Sequence, residues 1–262
     1  MVRRMLDVPT FAEDIRSSPD TSGFILDFDG TLSAIVDDPD AATVVSGVRP
    51  ILGALADHYG LVAILSGRRA EDVASRVVVP GVVYVGVYGA EQFIDGEITT
   101  SSKAPLWREA VVSLSEDVNR LVESARLEGC LVEPKDVALS IHFRNSPSPE
   151  APAVLMSWAR AAVAVHGFTA SFGRMVVELK PTEISKAGAV ASLIESRGVE
   201  FLVLAGDDSA DVEAMIAVRA TMGDGVLCVG VASSEQPDGL QENADVMLDN
   251  SEEVGDLLRR FL

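Results

Sequence analysis

Short apolar runs rich in β-branched residues alternate with segments of helical period, and this alternation constrains the fold more than any other feature. Gly23–Phe28 reads as a buried strand, and Val48, Ile51, Leu52, Leu55 and Tyr59 then recur at helical spacing. Leu61–Leu65 is a second strand, Ala70–Val77 a short helix and Val82–Gly86 a third strand. Later come a helix over Ile184–Arg197, a strand at Phe201–Ala205 and a helix at Ala210–Val218. Strands at Val226–Val231 and Val246–Leu248 and a closing helix at Glu252–Phe261 follow. Strands that are apolar throughout have both faces covered, which is the mark of a parallel sheet between helical layers. The expected fold is therefore α/β, a Rossmann-like parallel-sheet core whose ligands bind at the carboxyl ends of the strands.

The middle of the chain breaks this rhythm. Pro105–Leu127 and Glu150–His166 read as helices, and Leu131–Glu133, Val137–Arg144, Phe168–Phe172 and Met175–Leu179 as strands. Gly173-Arg174 forms a turn between the last two runs, and Pro134-Lys135-Asp136 separates the first two. These features predict an inserted α+β cap domain with antiparallel strands, a lid spanning 104–181. The core is then made of 1–103 and 182–262.

Charge limits the partners. The net charge is −19, from 40 acidic and 21 basic residues. So acidic a chain is repelled by nucleic acid and by anionic membrane surfaces, and a phosphate-bearing substrate would need cations gathered locally. The longest apolar candidate for a membrane span, Val77–Val87, is interrupted by Pro80, Gly81 and Gly86. The basic N-terminus lacks the apolar stretch of a secretion signal. Cys130 and Cys228 have no metal-ligand spacing and read as buried thiols of a reducing compartment. The expectation is a cytoplasmic protein, monomeric, with a small-molecule substrate and no nucleic-acid or membrane partner.

Acidic residues mark the chemistry. Asp27-Phe28-Asp29-Gly30-Thr31 directly follows the first strand, and two carboxylates two residues apart in extended chain share a side. Adjacent carboxylates repel unless a cation compensates, and Mg2+, a hard ion with oxygen ligands, is the natural one. Gly206-Asp207-Asp208-Ser209-Ala210-Asp211 places three more carboxylates after the strand at 201–205. Helix capping by Asp208 or Ser209 accounts for one of them but not for three. Both clusters belong on one sheet edge and can share a cation, with Asp27, Asp29, Asp207, Asp208 and Asp211 as metal candidates. Ser66-Gly67-Arg68 joins a hydroxyl, a backbone turn and a helix start into a potential anion site. Lys186, two residues into its helix, adds a cation, although a surface lysine at a helix start is an ordinary feature.

Taken together, the order and spacing of these four fragments resemble the haloacid-dehalogenase-type phosphatases. The resemblance implies that Asp27 is a nucleophile, that Asp29 is a general acid/base and that Ser66 and Lys186 bind phosphate, and the loop reading adds Gly67 and Arg68 as further phosphate-binding candidates. It also implies that the late acidic motif around Asp207 holds Mg2+. The insertion resembles the cap of trehalose-6-phosphate phosphatases. It carries Glu133-Pro134-Lys135, Ser140-Ile141-His142-Phe143-Arg144 and Glu178-Leu179-Lys180-Pro181, and Tyr88-Gly89-Ala90-Glu91 resembles that family's HGAE segment. That likeness implies sugar recognition by Glu133, Lys135 and Glu178, with His142 and Arg144 as further candidates. The implied activity is Mg2+-dependent hydrolysis of trehalose 6-phosphate through an aspartyl-phosphate. Ala210, Val212, Met215 and Tyr88 depart from the family pattern. These changes leave room for a pseudo-disaccharide phosphate or another sugar or sugar-acid phosphate. A mutase and a non-catalytic sugar-phosphate sensor are the remaining alternatives. The sensor reading sits poorly with the intact Asp27, Asp29, Lys186 and Asp207.

Overall fold

The computed structural model describes residues 8–36, 38–173, 175–233 and 236–262. It divides into two compact units, one made of Met1–Thr99 with Ser185–Leu262 and the other of Thr100–Ile184.

The first unit opens with helix α1 (Val8–Ser17), followed by β1 (Ser22–Asp27), α2 (Val48–His58), β2 (Leu61–Leu65), α3 (Ala70–Val77), β3 (Val83–Gly86), β4 (Glu91–Ile94) and β5 (Glu97–Thr100). The second contains α4 (Ala104–Ser124), β6 (Leu131–Lys135), β7 (Ala138–His142), α5 (Ala151–His166), β8 (Phe168–Gly173) and β9 (Val176–Pro181). The chain then returns to the first unit with α6 (Lys186–Arg197), β10 (Phe201–Gly206), α7 (Ser209–Met222), β11 (Val226–Val231), α8 (Leu240–Asn243), β12 (Val246–Leu248) and α9 (Val254–Leu258).

The large sheet has the order β12-β11-β10-β1-β2-β3-β4-β5. Strands β12 through β3 are parallel, and β4 turns back antiparallel to β3. Alternate residues of the central strands feed two separate cores, as a period of two requires. Phe24, Leu26, Val62, Ile64, Val203 and Leu227 pack with α1, α2, α3 and α9 on one face. Ile25, Ala63, Leu65, Leu202, Leu204 and Cys228 pack with α6 and α7 on the other. All six residues of β1 are buried, which is why that segment shows no polar alternation. The expected Rossmann-like architecture is thus present.

Several local expectations shift. Helix α6 begins at Lys186 rather than Ile184, because the Ser185 side chain accepts from Gly188 N at 3.0 Å and caps the helix there. The closing helix expected over 252–261 is α9 flanked by two short 3-10 turns. The hairpin β4–β5 and helix α1 were not anticipated, and β5 is exposed along its whole length, so burial periodicity gives no signal there. Cys228 is buried and Cys130 only partly so, and neither is in a disulfide.

In the second unit the sheet order is β6-β7-β9-β8, antiparallel throughout. Pro134 and Lys135 lie inside β6 rather than in a turn. An edge strand accommodates proline because an outward N–H is not needed there. The actual turn is at Asp136, with φ of 53°. Of the expected Gly173-Arg174 turn, Arg174 lies outside the described residues. Leu139, Ile141, Val177 and Leu179 face α4 and α5 and form this unit's own core.

Candidate active site

Strand β1 delivers Asp27 at its carboxyl end, and the backbone then turns sharply. Leu32 N and Ser33 N both donate to Phe28 O, at 2.9 and 2.8 Å. The chain is therefore no longer extended beyond Asp27, and the two carboxylates of the motif take different partners. Asp29 is held by Arg68 through two parallel bonds, Nε to Oδ2 at 2.7 Å and Nη2 to Oδ1 at 2.8 Å. Asp27 points into a buried cluster around Lys186.

Lys186 is almost completely buried, at 2% exposure, which no sequence signal disclosed. Its ammonium lies 2.8 Å from Asp211 Oδ1, 3.0 Å from Asp27 Oδ1 and 3.3 Å from Asp208 Oδ2. Burial alone would push the lysine down, but these three carboxylates outweigh it and hold it well above its ordinary value. Burial raises Asp27 well above the usual carboxylate range. Lys186 pulls it back in part, and Asp208, Asp207 and Asp29 push it further up. Asp208 and Asp211 form a reciprocal cap at the start of α7, in which Asp211 N donates to Asp208 at 2.8 Å and Asp208 N to Asp211 at 3.2 Å. The capping reading of this motif thus holds for Asp208, and Asp211 serves the cap and Lys186 together.

Asp27, Asp207 and Asp211 each offer a carboxylate oxygen within 4.8 Å of one another, all three buried. Asp29 and Asp208 are not part of this trio. Asp207 comes close because Gly30 has no side chain. A Cβ built on Gly30 would stand 2.1 Å from Asp207 Oδ2, and Gly30 has φ of +84°. Three carboxylates around one ammonium, with Asp207 beside them, leave negative charge in excess. A convergent set of hard oxygen donors in such surroundings fits a divalent cation of the magnesium class.

After β2, Ser66 is buried and its Oγ accepts from Arg68 N at 3.1 Å. Ser66 does not cap α3. That helix start is served by Glu91 of β4, a fully buried carboxylate that accepts from Ala70 N at 3.1 Å and from Arg69 Nε at 3.3 Å. The helix end expected to attract a ligand anion therefore faces a protein carboxylate. Tyr88 lies beside Ser66 and Gly67. A Cβ on Gly67 would meet the Tyr88 hydroxyl at 2.6 Å, and Val87 and Tyr88 both adopt positive φ, 46° and 55°. Positive φ in a β-branched residue is strained and persists only where its surroundings enforce it. Here Val87 N is tied to Arg68 O at 2.8 Å and Tyr88 N to Ser66 O at 3.0 Å.

In the second unit, strand register aligns Glu133 with Ser140 and Ser140 with Glu178. The three form one polar row on the sheet face opposite the core. Ser140 Oγ donates to Glu178 Oε1 at 3.0 Å, Lys135 Nζ lies 3.5 Å from the same oxygen, and His142 Nε2 is 2.9 Å from Glu133 Oε2. Four of the five predicted substrate residues thus meet. Arg144 follows β7 and is exposed.

Comparison with known proteins fixes the family. Residues 25–245 match the Trehalose-phosphatase family. The chain belongs to the trehalose-phosphatase family. Among curated relatives, it is 35% identical over 230 residues to a trehalose-phosphate phosphatase of Mycobacterium avium, covering 83% of this chain and 58% of that one. It is 30% identical over 252 residues to trehalose-phosphate phosphatase B of Arabidopsis thaliana, covering 90% and 65%. The chain thus spans little more than half to two thirds of the length of these relatives. In fold it is similar to a Candida albicans trehalose-6-phosphate phosphatase C-terminal domain, with a TM-score of 0.76, 20% identity and coverage of 98% and 97%. A haloacid dehalogenase-like hydrolase from Bacteroides thetaiotaomicron aligns at a TM-score of 0.61 and 15% identity, covering 92% and 99%.

Within this member of the family, sequence reasoning gave no role of their own to three polar residues. Glu91 and Ser140 were noted only as parts of motifs, and Asp72, which pairs with Arg68 and Arg76, carries no signal before folding. Hydroxyls and single acids in strands and helices are too common to stand out until their partners are placed.

Proposed function

We propose that the chain is a phosphoric monoester hydrolase that converts trehalose 6-phosphate to trehalose and phosphate. The observation that carries this reading is the buried ion pair of Lys186 with Asp27, set in a chain of the trehalose-phosphatase family. A lysine so enclosed serves little purpose on a surface, but it neutralises a phosphoryl group beside a carboxylate nucleophile.

In this reading an Asp27 oxygen attacks phosphorus and an O–P bond forms. The ester P–O bond breaks, and the sugar oxygen takes a proton from Asp29. Water then attacks phosphorus, Asp29 takes its proton, and the acyl-phosphate bond breaks to release phosphate and regenerate Asp27. Lys186, Ser66 and the Gly67 backbone face the phosphoryl oxygens. Asp27, Asp207 and Asp211 would hold Mg2+, which would supply positive charge against the phosphoryl group and the clustered carboxylates. Glu133, Lys135, His142 and Glu178 bind sugar hydroxyls, since carboxylates accept from vicinal hydroxyls and the ammonium donates. The high negative charge and two cysteines outside any disulfide support a cytoplasmic enzyme acting on a small molecule.

The phenol at Tyr88, set against the Gly67 loop where the family pattern has a histidine, leaves room for a second reading in which the substrate is a trehalose-like pseudo-disaccharide phosphate. Phosphate release across a panel of sugar phosphates, with Asp27→Asn as control, tests both. A strong preference for trehalose 6-phosphate is expected. Turnover of other esters without it would sink the trehalose assignment and keep the chemistry.

A further inference from the structure

Arg68 follows Ser66-Gly67 in a loop that invites assignment to phosphate binding, yet most of its donors are already taken. Two N–H groups grip Asp29, at 2.7 and 2.8 Å. A third reaches Asp72 at 3.3 Å and a fourth Pro39 O at 2.8 Å. That is four of the five donors a guanidinium carries. The group also lies 5.5 Å above the Phe28 ring, and the side chain is 15% exposed. Asp72 in turn bonds Arg76 Nε at 2.9 Å, and Arg76 donates to Asp40 O and Ala42 O at 2.9 and 3.0 Å. Helix α3 therefore anchors a continuous chain of ion pairs running from Asp29 to the Pro39–Ala42 turn.

The geometry assigns Arg68 as the positioning residue of Asp29, clamped by Phe28, Asp72 and the Pro39 carbonyl, rather than as a ligand of the phosphoryl group. A carboxylate offers about four lone-pair sites, and the bidentate clamp uses two, so two stay open for the reacting oxygens. Fixing the carboxylate plane matters because proton transfer needs a heavy-atom approach of roughly 3 Å. Asp29 otherwise hangs from a turn with its side chain 44% exposed, where an untethered carboxylate samples several rotamers.

This inference rests on the phosphatase reading, and its test separates the two. With p-nitrophenyl phosphate the leaving group needs no proton, so formation of the aspartyl-phosphate is insensitive to Asp29 while its hydrolysis is not. In Arg68→Ala the burst of p-nitrophenolate is expected to keep its rate within about twofold, while steady turnover falls by about 10- to 100-fold. Arg68→Lys, which keeps the charge but not the fork, should fall nearly as far with an unchanged thermal midpoint. In an Asp29→Asn background, Arg68→Ala should change the burst no further. A burst slowed tenfold by Arg68→Ala, in either background, overturns the assignment and makes Arg68 a phosphoryl ligand. A direct readout is independent of turnover. The Arg68 Nε–H resonance should be protected from exchange in the wild type and lose that protection in Asp29→Asn. An Nε–H that exchanges as fast as those of exposed arginines overturns the clamp. Absence of phosphate release from every ester would sink the phosphatase reading alone.

Discussion

The Lys186 ammonium and the Asp27 carboxylate lie 3.0 Å apart, with side chains 2% and 6% exposed. Neither group would be stable there alone. Lys186→Met leaves Asp27, Asp208 and Asp211 without their shared cation, so it should destabilise the fold by about 3–5 kcal/mol and abolish turnover. Asp27→Asn removes one carboxylate from an over-acidic cluster while Lys186 keeps two partners. Its thermal midpoint should match or exceed the wild type while phosphate release falls at least about a thousandfold. Thermal unfolding and a phosphate assay check both. Substantial turnover by Asp27→Asn would remove Asp27 as nucleophile.

Gly30→Ala tests how the two acidic motifs are joined. The new methyl would sit 2.1 Å from Asp207 Oδ2 at a backbone φ of +84°. The expected result is a stability loss of about 1–3 kcal/mol from strain and displacement, together with Mg2+ binding weakened at least about tenfold because Asp207 is pushed aside. Titration calorimetry with Mg2+ measures the second effect directly. Unchanged binding would take Asp207 out of the metal site.

The polar row of the second unit should govern which ester is used. Glu178→Gln and Ser140→Ala are expected to raise KM for the sugar phosphate by roughly 10- to 100-fold, the worth of one or two hydrogen bonds to a charged group. Their effect on p-nitrophenyl phosphate should stay within about threefold. Equal losses on both substrates would argue that this face does not read the sugar.

Alkaline stability follows from two buried phenols. The Tyr84 hydroxyl accepts from Val79 N at 3.0 Å and donates to Val79 O at 2.9 Å, and Tyr59 donates to Phe261 O. Burial raises both phenols above their ordinary value of 10.0. A folded-state pKa above the unfolded one means that the contribution is complete below about pH 10 and is lost as pH rises through the folded value. Denaturant midpoints should therefore drop on the alkaline side of pH 10, and Tyr84→Phe should flatten that drop while costing about 1 kcal/mol at neutral pH. A double variant with Tyr59→Phe that retains the full alkaline slope would contradict this origin.

Much of the core was legible because burial on both faces writes itself into composition. The continuous apolar runs at 23–26, 61–65, 201–205 and 226–231 admit no other placement than the middle of a covered sheet. The parallel strands then bring their carboxyl ends to one edge, so Asp27, Ser66 and Asp207 were predictable neighbours from topology alone. Helix α1 and the β4–β5 hairpin were not legible. The first lies beside a basic N-terminal stretch without a clear boundary, and the second exposes β5 on every residue.

The sequence by itself determined the class of the protein, the strand ends that carry acids and the chemistry those acids favour, since periodicity and local spacing are properties of the chain. Only the tertiary structure decided which partner each charged group took. It gave Lys186 to three carboxylates, Arg68 to Asp29 and Glu91 to the start of α3. These choices depend on distances of a few ångströms between segments that lie far apart along the chain. Charge pairing in a buried site acts at that range, and no local pattern encodes it.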